Sequence, residues 1–235
     1  MNLVILTGAG ISAESGISTF RDAGGLWETH RFEDLASPQG FARDPALVHR
    51  FYNIRRAQLH VVAPNTAHFA LAAVERAWAG RGDFTLITQN VDDLHERAGS
   101  KNLLHMHGEL RKLRCAACGG VTPWQGDAGL DTACPACSSV GGMRPDIVWF
   151  GEMPYYMASI YEAVASADVF CAIGTSGAVY PAAGFAHEAA RNRRSCILYE
   201  INPKPTASDL FGHVIAAPAT RGVPEFIRLL GVQES

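Results

Sequence analysis

Four apolar residues, Leu3-Val4-Ile5-Leu6, run through Thr7 straight into Gly8-Ala9-Gly10-Ile11-Ser12-Ala13. An apolar run this short, with no polar alternation, reads as a strand buried on both faces, the kind found in parallel sheets covered by helices. The G-x-G-x-x-A that follows predicts a tight turn into a helix, where bare glycine backbone lets a pyrophosphate approach the helix N-terminus. Beyond it the usual pattern stops. Ser18-Thr19-Phe20-Arg21 leads into Gly24-Gly25, with no second strand and no acidic ribose partner within about 20 residues. The expectation is a dinucleotide fold whose first crossover is opened into a loop, with Arg21 as a phosphate partner and Phe20 as an aromatic lid.

Later apolar runs repeat the theme. Phe84–Thr88 ends in Gln89-Asn90-Val91-Asp92, Val169–Ile173 ends in Gly174-Thr175-Ser176-Gly177, and Cys196–Ile201 ends in Asn202. Residues just past the carboxyl ends of parallel strands line the crevice where open α/β sheets bind ligands, so Gln89, Asn90 and Asp92 are candidates on position alone. Asn202 is the candidate for the ribose contact missing from the first crossover. Leu103–Gly108 is strand-like and carries His105 and His107, expected to alternate to opposite faces so that only one faces the site; a neutral imidazole there is a chemically sensible base near pH 7.

Helices are expected from Asp44-Pro45 to Leu59, from Pro64 to about Trp78, and from about Pro224 to Leu230. In the first, Leu47, Phe51 and Ile54 form the predicted buried stripe, and Tyr52 and Arg55 share the face beside it, where general physics makes them a surface pair. His68 and His95 read as structural, and Trp27 as packing.

With 48% hydrophobic and 18% charged residues among 235, the chain is globular, and a net charge of −3 gives no reason to expect nucleic acid. No apolar run reaches the roughly 18 residues of a membrane span, and a first strand at Asn2 or Leu3 leaves no room for a leader, so a cytoplasmic protein is expected. Cys115-x-x-Cys118 and Cys134-x-x-Cys137 are separated by 15 residues without Lys or Arg. That spacing reads as a structural four-thiolate zinc site with no open position for a catalytic water, and the intervening stretch, which carries only the acidic Asp127 and Asp131, lacks the footprint of a nucleic-acid ribbon. Cys171 and Cys196 are expected to be buried and inert.

Seven segments occur in one order: GAGISAESGISTFR, TQNVDDLH, HMHG, the two CxxC pairs, VWFGE, GTSGAVYPA and EIN. Over nearly the whole chain this resembles the sirtuins, the NAD-dependent protein lysine deacylases, and in particular bacterial members of the class that includes the mitochondrial desuccinylase. The resemblance implies a doubly wound, Rossmann-like α/β sheet (1–30, 61–108, 147–235) with a helical module (31–60) and a zinc module (109–146) inserted. It implies His107 as general base, with Asn90 and Asp92 positioning ribose and nicotinamide. NAD contacts are implied at Gly8, Ala9, Gly10, Ala13, Thr19, Phe20, Arg21, Trp27, Gln89, Gly174, Thr175, Ser176, Glu200, Asn202 and Ala219, with 23–27 as a lid. Val148, Phe150, Gly151, Glu152 and Val179 would clamp an extended acyl-lysine peptide as an added strand, and Tyr52 and Arg55 would grip an acidic acyl chain given room by Ala23. The implied products are nicotinamide, acyl-ADP-ribose and free lysine. Mono-ADP-ribosyl transfer at the same NAD site is the alternative activity, and a monomer is the open expectation.

Overall fold

The computed structural model describes residues 1–18, 31–192, 195–206 and 209–232. Thr19, Phe20, Arg21, Ala23 and Trp27, all implied at the site, lie outside the described residues.

Six strands, β1 (Leu3–Thr7), β2 (Phe84–Thr88), β3 (Leu103–His105), β7 (Val169–Ile173), β8 (Ile197–Ile201) and β9 (His213–Ile215), form one sheet in the order β3-β2-β1-β7-β8-β9. Every pairing is parallel. Renumbered along the chain, that is 3-2-1-4-5-6, the order of dinucleotide-binding sheets, and it reverses direction between β1 and β7. Strand alternation divides the core in two. Leu3 and Ile5 pack with Leu71, Trp78, Val223 and Phe226 on one face, whereas Val4 and Leu6 pack with Ile160, Phe170 and Phe185 on the other. Helices α4 (Thr66–Ala77) and α8 (Ala219–Leu229) cover the first face; α6 (Met157–Ser166) and α7 (Phe185–Asn192) cover the second. Burying each such Leu or Ile contributes about 1.5–3 kcal/mol.

Between them, α1 (Phe32–Leu35), α2 (Pro38–Arg43) and α3 (Pro45–Gln58) precede α4, and α5 (Leu94–Ala98) follows β2. A second, antiparallel sheet, β5-β4-β6, comprises β4 (Gly108–Cys115), β5 (Val121–Pro123) and β6 (Met143–Ile147), and carries the cysteines. A third core joins α3 to the base of that hairpin: Val48, Phe51, Tyr52 and Leu59 pack with Leu94, Leu110, Ile147 and Trp149.

Several expectations change. Two short 3-10 turns, Ala9–Ile11 and Ala13–Ser15, follow β1 in place of an α-helix. The buried face of α3 is Val48, His49, Phe51, Tyr52 and Arg56, while Ile54 is 52% exposed. The apolar pattern of α3 alone could not show that its partner is Trp149, so the predicted stripe was rotated and Tyr52 is buried rather than on the surface. Helix α8 begins at Ala219, five residues earlier than the sequence suggests, because the Glu14 carboxylate accepts hydrogen bonds from Thr220 N (3.1 Å) and Thr220 Oγ1 (2.7 Å) at its first turn. Cys171 is buried as expected, but Cys196 is only half-buried.

Candidate active site

The site is built where the sheet order reverses. Gly8 N donates to Ile173 O and Gly10 N to Gly174 O, both at 2.9 Å, so the loops after β1 and β7 lie backbone against backbone. A Cβ on Gly10 would sit 2.6 Å from Gly174 Cα, and one on Gly174, whose φ is +61°, would sit 2.7 Å from Gly10. The glycines thus serve first to let two loops meet; with Gly8 buried and Ala9, Gly10 and Gly174 half-buried, they form a cradle, the side-chain-free kind of turn that a phosphate-bearing ligand can approach.

Neighbouring strands add the polar groups. Gln89 Nε2 donates to Thr175 Oγ1 (3.1 Å), and Asn202 Nδ2 to Thr175 O (2.8 Å). Asn90 Nδ2 donates to Gly8 O and to Ser12 Oγ, both at 3.2 Å, and Asn90 N to Thr88 Oγ1 (3.0 Å). Asp92 accepts from Ser12 Oγ (3.0 Å) on one oxygen and from Leu94 N (3.1 Å) on the other; burial pushes its carboxyl above the usual range, opposed by those two bonds. Gln89, Asn90, Asp92, Gly8, Gly10, Gly174 and Thr175 are therefore gathered at one crevice, with Ala9, Ala13 and Ser176 on the loops that rim it. Two candidates are differently employed. Glu200 spends its carboxylate on Thr206 N (2.8 Å) and Thr206 Oγ1 (3.1 Å), closing the loop beyond Asn202, and Ala219 is packed in the sheet core at the start of α8.

His107 stands just past β3. Its Nδ1 is 3.0 Å from Gln89 O, and a carbonyl only accepts, so Nδ1 carries the hydrogen and Nε2 carries the lone pair. Burial lowers its pKa, with the Gln89 bond opposing, so the ring is neutral near pH 7. Alternation along the strand does not separate it from His105, because residues two apart share a face. The strand ends at His105, and the chain turns through Gly108 (φ +82°) before Val148 N binds His107 O at 2.9 Å.

The segment Val148–Glu152 follows β6. Glu152 takes a bidentate bond from Arg144 (2.7 and 2.9 Å) and one from Trp149 N (2.8 Å), so its side chain braces this loop. Phe150 and Val179 are exposed, and Gly151 N has no hydrogen-bond partner among the described residues. Trp149, which the sequence reading passed over, donates Nε1 to the Tyr52 hydroxyl at 2.9 Å and lies 3.5 Å under the Arg144 guanidinium. An indole N–H can only donate, so the Tyr52 oxygen is the acceptor and its own hydrogen remains available. Burial raises the Tyr52 pKa and keeps that hydrogen in place; beside it Arg55 is pulled down by burial but held up by Tyr52 and Asp92.

The sulfurs of Cys115, Cys118, Cys134 and Cys137 all lie within 4.8 Å of one another, with Cys115–Cys137 and Cys118–Cys134 at 3.8 Å. Four thiolates at about 2.3 Å from one ion stand about 3.8 Å apart at tetrahedral angles, so the donor set fits a structural Zn²⁺.

A model of the Sir2 family matches residues 8–181, which include every element of this crevice up to the loop after β7. The chain belongs to the Sir2 family. Among relatives, this sirtuin is 58% identical over 229 residues to an NAD-dependent protein deacylase of Bdellovibrio bacteriovorus, covering 96% of this chain and 95% of the relative. A solved Sir2 homologue–NAD complex superposes with a TM-score of 0.87 at 40% identity, over 97% of this sirtuin and 89% of that chain. A Sir2 protein bound to an acetylated peptide superposes with a TM-score of 0.82 at 26% identity, over 99% and 94%. Ser12, inside the first motif, and Thr7 and His68, outside all seven, also shape the site: Thr7 Oγ1 lies 2.9 Å from Thr88 Oγ1 and 3.1 Å from His95 Nε2, and His68 Nε2 lies 3.4 Å from Ser12 Oγ. Among the described residues no helix is long and apolar enough to cross a membrane.

Proposed function

We propose that this sirtuin is an NAD-dependent protein-lysine deacylase that accepts both acetyl and acidic acyl chains. The observation that carries the reading is His107, whose neutral tautomer is fixed with Nε2 as the lone pair at the crevice where Asn90, Asp92 and the Gly8–Gly10–Gly174 cradle meet. NAD supplies, when bound, an electrophilic ribose carbon with nicotinamide as leaving group. The chain's part is to hold phosphates against the glycine loops, to orient ribose and nicotinamide with Asn90 and Asp92, and to take a ribose hydroxyl proton on His107 Nε2. Extended acyl-lysine peptide enters between Val148–Glu152 and the loop at Val179, where main-chain pairing leaves sequence preference loose. Tyr52, donating its remaining hydrogen, and Arg55, with its guanidinium, bind the carboxylate of a succinyl-type chain. All these residues come from one chain, so a monomer suffices, and the place of action is the cytoplasm.

Mass spectrometry of matched acetyl-lysine and succinyl-lysine peptides, with and without NAD, tests this: NAD-dependent loss of both acyl groups with release of acyl-ADP-ribose is expected. Stable ADP-ribose label on protein, without deacylation, would replace it with mono-ADP-ribosyl transfer.

A further inference from the structure

The strand that leads to the base ends at His105, whose ring lies behind the crevice. His105 Nδ1 is 3.2 Å from Asn90 O, and its Nε2 is 2.6 Å from Glu96 Oε1. A carbonyl and an ionised carboxylate only accept, so both ring nitrogens carry hydrogen and His105 is an imidazolium. The carbonyls on either side of the Asn90 N–Cα–C unit are therefore each held by a histidine: Gln89 O by His107 and Asn90 O by His105. Loop and base are fixed by the same short stretch of chain.

The charge is maintained against its surroundings. His105 is 6% exposed, and burial is the largest influence on it, disfavouring the cation; Glu96, then Glu109 and the Asn90 carbonyl, reverse that and raise its pKa. Facing it are Glu96 and His95 from α5, Asp92 from the loop after β2, and Glu109 from β4, whose carboxylate also binds Lys112 Nζ at 2.5 Å. His105 in turn favours the ionised form of Asp92, against burial.

We propose that Glu96 and His105 form a charged strut that positions the Asn90–Asp92 loop from behind, making Glu96, a helix residue outside the NAD and peptide sites, necessary for full turnover. The proposal rests on the deacylase reading for its kinetic arm alone. Its other arm, the protonation state of His105, needs no turnover.

Glu96→Gln removes the charge and keeps the size. Nitrogen-15 NMR of the histidine rings at about pH 7.5 should find both His105 nitrogens protonated in the parent and only one in the variant. For the variant, kcat should fall about tenfold with peptide KM within about twofold. Beside the acid limb that His107 sets, its kcat/KM profile should gain a loss of activity at acid pH from Asp92, which without the nearby cation keeps its proton to higher pH than in the parent; Glu96→Asp should restore part of both. A neutral His105 in the parent overturns the proposal, and so does a Glu96→Gln enzyme with the parent's kcat and pH profile, whether or not its Tm falls. If the parent itself shows no NAD-dependent deacylation, the deacylase reading fails and the NMR result alone decides the strut.

Discussion

His107 is constrained on two different atoms: the Gln89 carbonyl fixes where its hydrogen sits, and burial fixes whether it has one or two. Its folded pKa is lowered, so the neutral base is present above the usual imidazole range and is lost only as pH falls through the lowered value. The expected kcat/KM profile is flat through neutrality with an acid limb below about 6.5. His107→Ala should cost about 10²- to 10⁴-fold in rate, with zinc content and Tm near those of the parent; a folded, zinc-loaded variant with normal turnover would move the base elsewhere. Tyr52 and Arg55 make the second argument at this scale. A charged hydrogen bond contributes about 1.5–3 kcal/mol, so Arg55→Met should lower succinyl kcat/KM about ten- to a hundredfold and leave acetyl turnover nearly unchanged. Trp149→Phe removes the donor that orients the Tyr52 hydroxyl and should move the same ratio in the same direction by less, about threefold to tenfold. Equal effects on both peptides from Arg55→Met and from Trp149→Phe would leave this pair a structural one.

At the scale of the element, the meeting of the loops after β1 and β7 is the least tolerant part of the fold. Gly174→Ala would place a methyl 2.7 Å from the Gly10 backbone at a positive φ, so one loop must give way. A destabilisation of about 1–3 kcal/mol is expected, together with loss of the Tm rise that saturating NAD gives the parent. A variant that keeps that rise would show the cradle to be looser than its contacts. The strands that build this crevice were legible in the sequence because their signal is local: a short apolar run followed at once by small or polar residues. The cysteine cluster was legible for the same reason, since each CxxC is a closed turn. What was hidden depends on partners distant along the chain. Glu14 starts α8 from 206 residues away, and Tyr52 is buried by Trp149, 97 residues on. His68 looked like an ordinary residue near a helix start, but it closes a capping box with Asn65 while its other nitrogen lies 3.4 Å from Ser12 Oγ, and burial lowers its pKa to about 4. Neither half of that role can be read from helical periodicity.

Over the whole molecule, the two halves of the proposed reaction rest on different cores. On the proposed reading NAD would be held where the parallel sheet reverses, above the cores packed by α4 and α8 and by α6 and α7. The acyl-lysine side rests on the third core, in which α3 packs on Leu110, Ile147 and Trp149 at the base of the hairpin whose far end carries the cysteines. Arg56 strengthens that joint: it is buried, and it donates to Leu110 O (2.8 Å), Asn53 Oδ1 (2.9 Å) and Gly126 O (3.2 Å), while Asn53 itself binds both backbone polar groups of Ala128. Metal-binding free energy in such a module is folding free energy, because its own buried cluster is small: Leu113, Ala128, Met143 and two of the cysteines. Elemental analysis should therefore find one zinc per chain, and Cys137→Ala should lower yield and activity together. Partial removal of zinc by a chelator should loosen β4 and β6 first, and through Trp149 and Tyr52 it should reach the acyl-lysine site before it reaches the glycine cradle. The expected result is a rise in peptide KM of about fivefold or more while NAD KM changes less than about twofold, with recovery when zinc is restored. Steady-state kinetics against measured zinc content would check this, and NAD KM rising in step with peptide KM would mean that the three cores unfold as one unit.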